Sequence, residues 1–233
     1  MLSVARFYMA RLVNYYPLLL VLVLMIFITA GGVIGGVISA NKLPHLTPEH
    51  LVNLLNEENG DRVMVMMRHA ERCDRSSHEC LNSAQGITVR GAHQVTAMGE
   101  AWRVVAHPPY LTFSSDTVRT RQSAQGFSEG SSLKVSPQLG SSSCSQPSFE
   151  QFLQTVAESG PGAKVLFTHS ECLSYMAQHF ADTQFSPDYL EGIVLVVHPW
   201  GIKIEGAITP QEIAVAARRH LYTADNSSQL TKN

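Results

Sequence analysis

No run of lysine or arginine and no basic stripe occurs in this chain of 233 residues, whose formal net charge is −2. A nucleic-acid binder needs such a footprint, so that class is set aside. No Cys-x-x-Cys pair is present, which argues against a zinc ribbon. The ten histidines, among them His45, His50, His78, His93 and His107, are scattered without ligand spacing, so no metal site is expected. No GxSxG elbow surrounds Ser114-Ser115, which argues against a nucleophilic serine at that place. No internal repeat is visible.

One long stretch lacks charge altogether. Pro17 to Ala40 is 24 residues without a single Asp, Glu, Lys or Arg. At about 1.5 Å per residue a helix of that length crosses a bilayer's hydrocarbon core. Arg6 and Arg11 precede the stretch and only Lys42 closely follows it. The positive-inside rule then leaves the N-terminus in the cytoplasm and exports the rest, with Tyr15 and Tyr16 at the interface. A cleaved signal ending at Ile38-Ser39-Ala40 is the alternative, but the apolar region exceeds the ~7–15 residues usual for one. The expectation is residues 1–40 as a stub and transmembrane signal anchor, 41–222 as one globular domain, and 223–233 as a disordered tail.

Cysteine is sparse but even in number: Cys73, Cys80, Cys144 and Cys172. In an exported, oxidising setting this suggests two disulfides. Four cysteines allow three pairings and spacing does not choose among them. Cys73–Cys80, a short local loop, with Cys144–Cys172 is taken as the working pairing.

Along the exported part, helix and strand signals alternate. Thr47-Pro48 opens a helix to about Glu58. Val63 to Met67 is a continuous apolar run, as in a strand covered on both faces. Residues 71–86 form a polar loop. Apolar spacing predicts a helix from Thr88 to about Val105, ended by Pro108-Pro109. Further strands are predicted at Tyr110–Phe113, Leu133–Val135 and Lys164–Thr168, with helices at about 117–127, 149–157 and 171–180. Ile193–His198 and Ile202–Glu205 flank Pro199-Trp200-Gly201 as a hairpin. Thr209-x-x-Glu212 is a capping box for a last helix ending near His220. The expected class is α/β, with a mostly parallel central sheet flanked by helices.

Ligand sites of such sheets lie at the carboxyl ends of the strands. The Val63 strand ends in Arg68-His69. The Tyr110 strand ends in Ser114-Ser115 and leads into a helix bearing Arg119 and Arg121. The Lys164 strand ends in Thr168-His169. Two histidines and two or three arginines on one rim, beside helix N-termini, suit a phosphate. A neutral, oriented imidazole there can act as nucleophile. Each feature alone is weak: an Arg-His pair is usually solvated surface, and a helix arginine usually an exposed face. Recurrence at successive strand ends strengthens the signal.

RHAE after a strand, SSDTVRTRQSA, and FTH after another strand resemble the histidine phosphatase (phosphoglycerate-mutase-like) superfamily, over about Val63 to His198. RHAERCDRSSHECL, GITVRG, FTHSECL and FSPDYLEG are more closely similar to the lipopolysaccharide core heptose(II)-phosphate phosphatases. The resemblance implies a phosphohistidine at His69, with Arg68 and Arg119 on the phosphoryl oxygens and His169 on the far side. It implies no metal or cofactor, because cationic side chains neutralise the phosphate. The implied partner is a phosphorylated sugar or lipopolysaccharide core, handled in a bacterial periplasm by a domain held to the inner membrane by its N-terminal helix; the same chemistry on a phosphoprotein or small phosphate ester, or a phosphate-binding domain without turnover, is the alternative. Arg72, Arg121 and Ser115 are candidate substrate contacts. Many members of the superfamily place the proton donor as an Asp directly after the second histidine or as a Glu in the region after the second arginine segment. Here Ser170 follows His169, and Glu129 and Glu150 lie in no motif, so the general acid stays open, with Glu71, Asp74 and Glu150 as candidates.

Overall fold

The structure is a computed structural model that describes residues 21–22, 25, 42–56, 62–106, 110–129 and 133–230. The chain divides into two units, Met1–Lys42 and Leu43–Asn233, and the second holds the whole sheet. The expected anchor, Pro17 to Ala40, lies outside the described residues except for Val21, Leu22 and Met25, which are helical. No helix among the described residues is long and apolar enough to cross a membrane.

The elements run α1 (Pro48–Asn56), β1 (Val63–Arg68), α2 (Val89–Val105), β2 (Leu111–Ser114), α3 (Val118–Ser128), β3 (Leu133–Val135), α4 (Phe149–Ala157), β4 (Lys164–Thr168), α5 (Ser170–Ala181), β5 (Gly192–His198), β6 (Gly201–Ile208) and α6 (Pro210–Leu230). Six strands form one sheet in the order β3-β2-β4-β1-β5-β6. The β3/β2, β2/β4 and β4/β1 pairs are parallel. The β1/β5 and β5/β6 pairs are antiparallel. The sheet is therefore mixed, and the parallel character expected from the sequence belongs to its first four strands.

The Val63–Met67 run is apolar throughout because both faces of β1 are covered. Its period-2 alternation deals side chains to two cores. Val63, Val65 and Met67 join Trp102 of α2, Phe127 of α3 and Ile213 of α6 on one face. Met64 and Met66 join Leu153 of α4 and Leu173 and Met176 of α5 on the other. At Gly192 a Cβ would come within 2.2 Å of the Met66 carbonyl oxygen, so β5 approaches β1 closely there.

The predicted caps form as hydrogen bonds. The Thr47 hydroxyl accepts from the His50 amide at 3.2 Å. Thr209 and Glu212 close a reciprocal box, with the Thr209 amide 2.7 Å from Glu212 Oε2 and the Glu212 amide 3.2 Å from Thr209 Oγ1. One expectation needs correcting. The last helix does not end near His220 but continues to Leu230. Neither Gly nor Pro lies between Leu221 and Leu230 to stop it. Both working disulfides are present, Cys73–Cys80 and Cys144–Cys172. The first closes the 71–86 loop, and the second ties the loop before α4 to α5.

Candidate active site

Register brings the strand ends together. Arg68 pairs with Thr168 across the β1/β4 ladder, and the His69 amide continues it to the Thr168 carbonyl at 3.1 Å. The Ser115 amide bonds the Phe167 carbonyl at 3.1 Å, so the end of β2 lies on the other side of β4. Because β5 is antiparallel, its first residue, Gly192, also lies at this rim, opposite Met67.

His69 is 3% exposed. Its Nδ1 lies 2.8 Å from the Ala70 carbonyl oxygen. A carbonyl can only accept, so Nδ1 carries the proton and Nε2 keeps its lone pair. The Arg119 Nε–H points at that lone pair from 3.1 Å. Arg119 Nη2 reaches His169 Nδ1 at 3.4 Å. Arginine only donates, so His169 is the opposite tautomer, its Nε2–H donating to Ser115 Oγ at 3.0 Å. The two rings meet edge-on with centroids 5.5 Å apart. Arg119 sits in the first turn of α3, and His169 is the residue preceding α5, so two helix N-termini face the same point.

Arg68 is clamped from outside. Its Nη1 donates to the Pro187 carbonyl at 2.8 Å. Its guanidinium carbon lies 4.1 Å from the centre of the Tyr189 ring, which is also 5.8 Å from the His69 ring. Burial, followed by the charges of Arg119, His169 and Arg68, holds the His69 pKa down at about 3 against the Ala70 bond. Burial and the Arg119 charge hold His169 at about 4. Both imidazoles are neutral at pH 7, and the cationic charge of the site comes from its arginines. The arrangement offers an unprotonated Nε2 beside guanidinium groups and helix N-termini, which suits in-line attack on a bound phosphoryl group.

No family model matches the chain. A lipopolysaccharide core heptose(II)-phosphate phosphatase of Escherichia coli is 36% identical over 168 residues, which is 72% of this chain and 81% of that protein. A phosphatase of the same name from Shigella sonnei matches to the same extent. The chain belongs to this family of phosphatases. Its fold is that of the protein histidine phosphatase SixA, solved with tungstate, at a TM-score of 0.53 and 14% identity over 65% of this chain and 99% of that one. A phosphoserine phosphatase of Entamoeba histolytica, solved with phosphoserine, shares it at a TM-score of 0.51 and 9% identity over 64% and 98%.

In this phosphatase the remaining candidates fall into different places. Arg72 makes a two-pronged contact with Asp74, through Nε and Nη2. Arg72 acts on Arg119 and His169 electrostatically, so it lies near the site. Arg121 is exposed on α3, and no side-chain hydrogen bond or ion pair joins it to the site among the described residues. Residues two apart on a helix point about 200° apart, so Arg119 and Arg121 cannot both face inward. Ser115 is fully buried behind His169 and is bonded to Thr120 Oγ1 at 2.7 Å. It orients the histidine and is not on the surface that substrate would touch.

The three carboxylate candidates separate as well. Glu71 accepts from Thr88 at 2.9 Å and from Ser76 at 3.1 Å, and pairs with His78 at 3.0 Å. Those bonds hold its pKa low against desolvation. Asp74 is held low by its bond to Arg72. Glu150 pairs with His179. His179 lies ten residues beyond His169 on α5, roughly 15 Å along the helix axis, so Glu150 is removed from the chemistry. The sequence reading missed Glu171, in the first turn of α5, whose charge acts on both His169 and Arg119. The signal was present in FTHSE: the carboxylate is displaced by one residue from the expected place after the histidine. Tyr189 and Pro187 were missed because a clamp on Arg68 from a loop 119 residues away has no local signature. Among the described residues no group of three His, Cys, Asp or Glu is placed to hold a metal ion.

Proposed function

We propose that the chain hydrolyses a phosphate monoester of a heptose in the lipopolysaccharide core through a phosphohistidine at His69. The observation that carries this reading is the tautomer of His69: its Nδ1–H is committed to Ala70, and its Nε2 lone pair faces Arg119. The substrate class follows the name of the relatives at 36% identity.

In the first step Nε2 attacks phosphorus and the bond from phosphorus to the sugar oxygen breaks. Arg119 and Arg68 bind the equatorial oxygens, with His169 on the opposite side, its Nδ1 held by Arg119. Glu71, Asp74 and Glu171 all have lowered pKa values, so each is a carboxylate at neutral pH. The leaving oxygen takes up one proton as that bond breaks, supplied by the phosphoryl group of a bound monoanion or by a carboxyl group at the rim, and the step balances either way. In the second step water attacks phosphorus, the P–N bond breaks, and inorganic phosphate leaves with His69 restored.

Residues 1–40 form a signal anchor that leaves residues 41–222 in the periplasm, close to a lipid-linked substrate. Two disulfides and no free cysteine among the described residues fit an oxidising compartment.

The test is hydrolysis of an aryl phosphate and of phosphorylated core oligosaccharide by the full chain in detergent, beside His69→Ala. Both activities should vanish in the variant, and acid-labile labelled phosphate should be trapped on the wild type alone. Turnover that survives in His69→Ala would overturn the mechanism.

A further inference from the structure

The stretch FSPDYLEG, residues 185–192, has no step in the chemistry beyond the Arg68 clamp, yet its turn is closed by several hydrogen bonds. Leu190 is buried with φ +62°, a left-handed conformation that a leucine rarely adopts. Around it the Glu191 amide bonds the Asp188 carbonyl at 3.1 Å, and Glu191 Oε2 accepts from the Asp188 amide at 2.8 Å. The Arg68 amide bonds the Glu191 carbonyl at 2.8 Å, which fastens the turn to the residue before the nucleophile.

This turn forms one wall of a cavity of about 440 Å³. The other walls come from α2 and the start of α6. Its polar lining is Gln94, Asp188, Tyr189, Glu191 and Gln211, over a floor that includes the buried Met98. Tyr189 is common to the cavity and to the phosphate site, since the same ring stacks on Arg68 at 4.1 Å and lies 5.8 Å from His69. The cavity thus shares a wall residue with the phosphate site.

The lining selects the chemistry of that ligand. Two carboxylates and two side-chain amides accept and donate to hydroxyl groups, and an aromatic ring packs on the C–H face of a sugar. The same two carboxylates repel an anion, so the cavity does not suit a second phosphate. The volume falls in the range of ligand pockets.

We propose that this cavity is a subsite for a neutral sugar residue, the neighbour of the one whose phosphate is removed, with the 185–192 turn as its specificity element. The inference rests on the phosphatase reading. It is probed with core oligosaccharide stripped of phosphate, whose binding needs no turnover. Ala97 is exposed at the cavity wall on α2, and Ala214 lies on α6. Neither belongs to the phosphate site. Ala97→Trp and, independently, Ala214→Trp in the full chain fill the space. Each should weaken calorimetric binding of the dephosphorylated oligosaccharide at least tenfold and raise KM for the phosphorylated one at least tenfold. Turnover of an aryl phosphate should stay within threefold, which also reports that the variant folds. Unchanged oligosaccharide binding in both variants, with aryl phosphate turnover intact, overturns the subsite and leaves the phosphatase reading standing. Absence of turnover on both substrates by the wild type overturns the phosphatase reading, and the subsite falls with it.

Discussion

Replacing His69 by glutamine should change how stability depends on pH, by an amount the burial of the ring sets. His69 is 3% exposed and its pKa is held at about 3, first by desolvation. In the unfolded chain the ring titrates near its ordinary value of about 6.5. Below that value the unfolded state binds a proton that the folded state refuses, so stability is fully present above pH 6.5 and is lost as pH falls. The slope is about 1.4 kcal/mol per pH unit, or roughly 3 kcal/mol between pH 6.5 and pH 4. Glutamine keeps an amide in place of the ring but has no proton to refuse. Urea unfolding of both proteins at pH 7, 6, 5 and 4, disulfides intact, isolates the contribution, because other titrating groups are shared. The stability of wild type relative to His69→Gln should decline by about 3 kcal/mol over the acid range. A difference that stays flat from pH 7 to pH 4 would refute the claim that His69 is held neutral by burial, and with it the basis for a nucleophile active in mild acid.

Three further outcomes rest on the geometry. Arg119→Ala removes the donor shared by His69 and His169 and should lower kcat on an aryl phosphate by about 10²–10³; Arg119→Lys should recover little of it, because an ammonium cannot span both rings as a fork. Gly99→Ala places a Cβ 2.1 Å from the Phe127 carbonyl oxygen where α2 crosses α3, and should cost about 3 kcal/mol, read as a Tm lower by roughly 6–12 °C. Cys144→Ser with Cys172→Ser opens a span of 28 residues and should cost about 3.6 kcal/mol on the chain-entropy estimate, against about 2.4 for the 7-residue Cys73–Cys80 pair; denaturant unfolding of both double variants checks the order.

The strands were legible because the sheet is buried on both sides. An apolar run such as Val63–Met67 has no other place to go, and its end must be where polar chemistry begins. Caps were legible for a similar reason: Thr47 and the Thr209–Glu212 box bond within three residues, so their partners are close in sequence. The end of α6 was not, since it depends on how far a helix without a breaker continues. The pairing of arginines with the site was legible only in part. Arg119 and Arg121 look alike in sequence, and the rotation of α3 on the sheet points one at His69 and leaves the other exposed.

By itself the sequence determined the alternation of elements, the strand ends that carry His69, Arg119 and His169, and the charge-free segment before the domain. These are properties of local pattern, read from neighbours a few residues apart. The tertiary structure decided which nitrogen of each histidine carries the proton, that Ser115 lies behind His169, that Glu150 is distant while Glu171 is near, and that Tyr189 closes over Arg68. Each of those depends on groups brought together across the sheet or along a helix axis, where the burial that sets a pKa and the register that sets a distance exist only after the chain has folded.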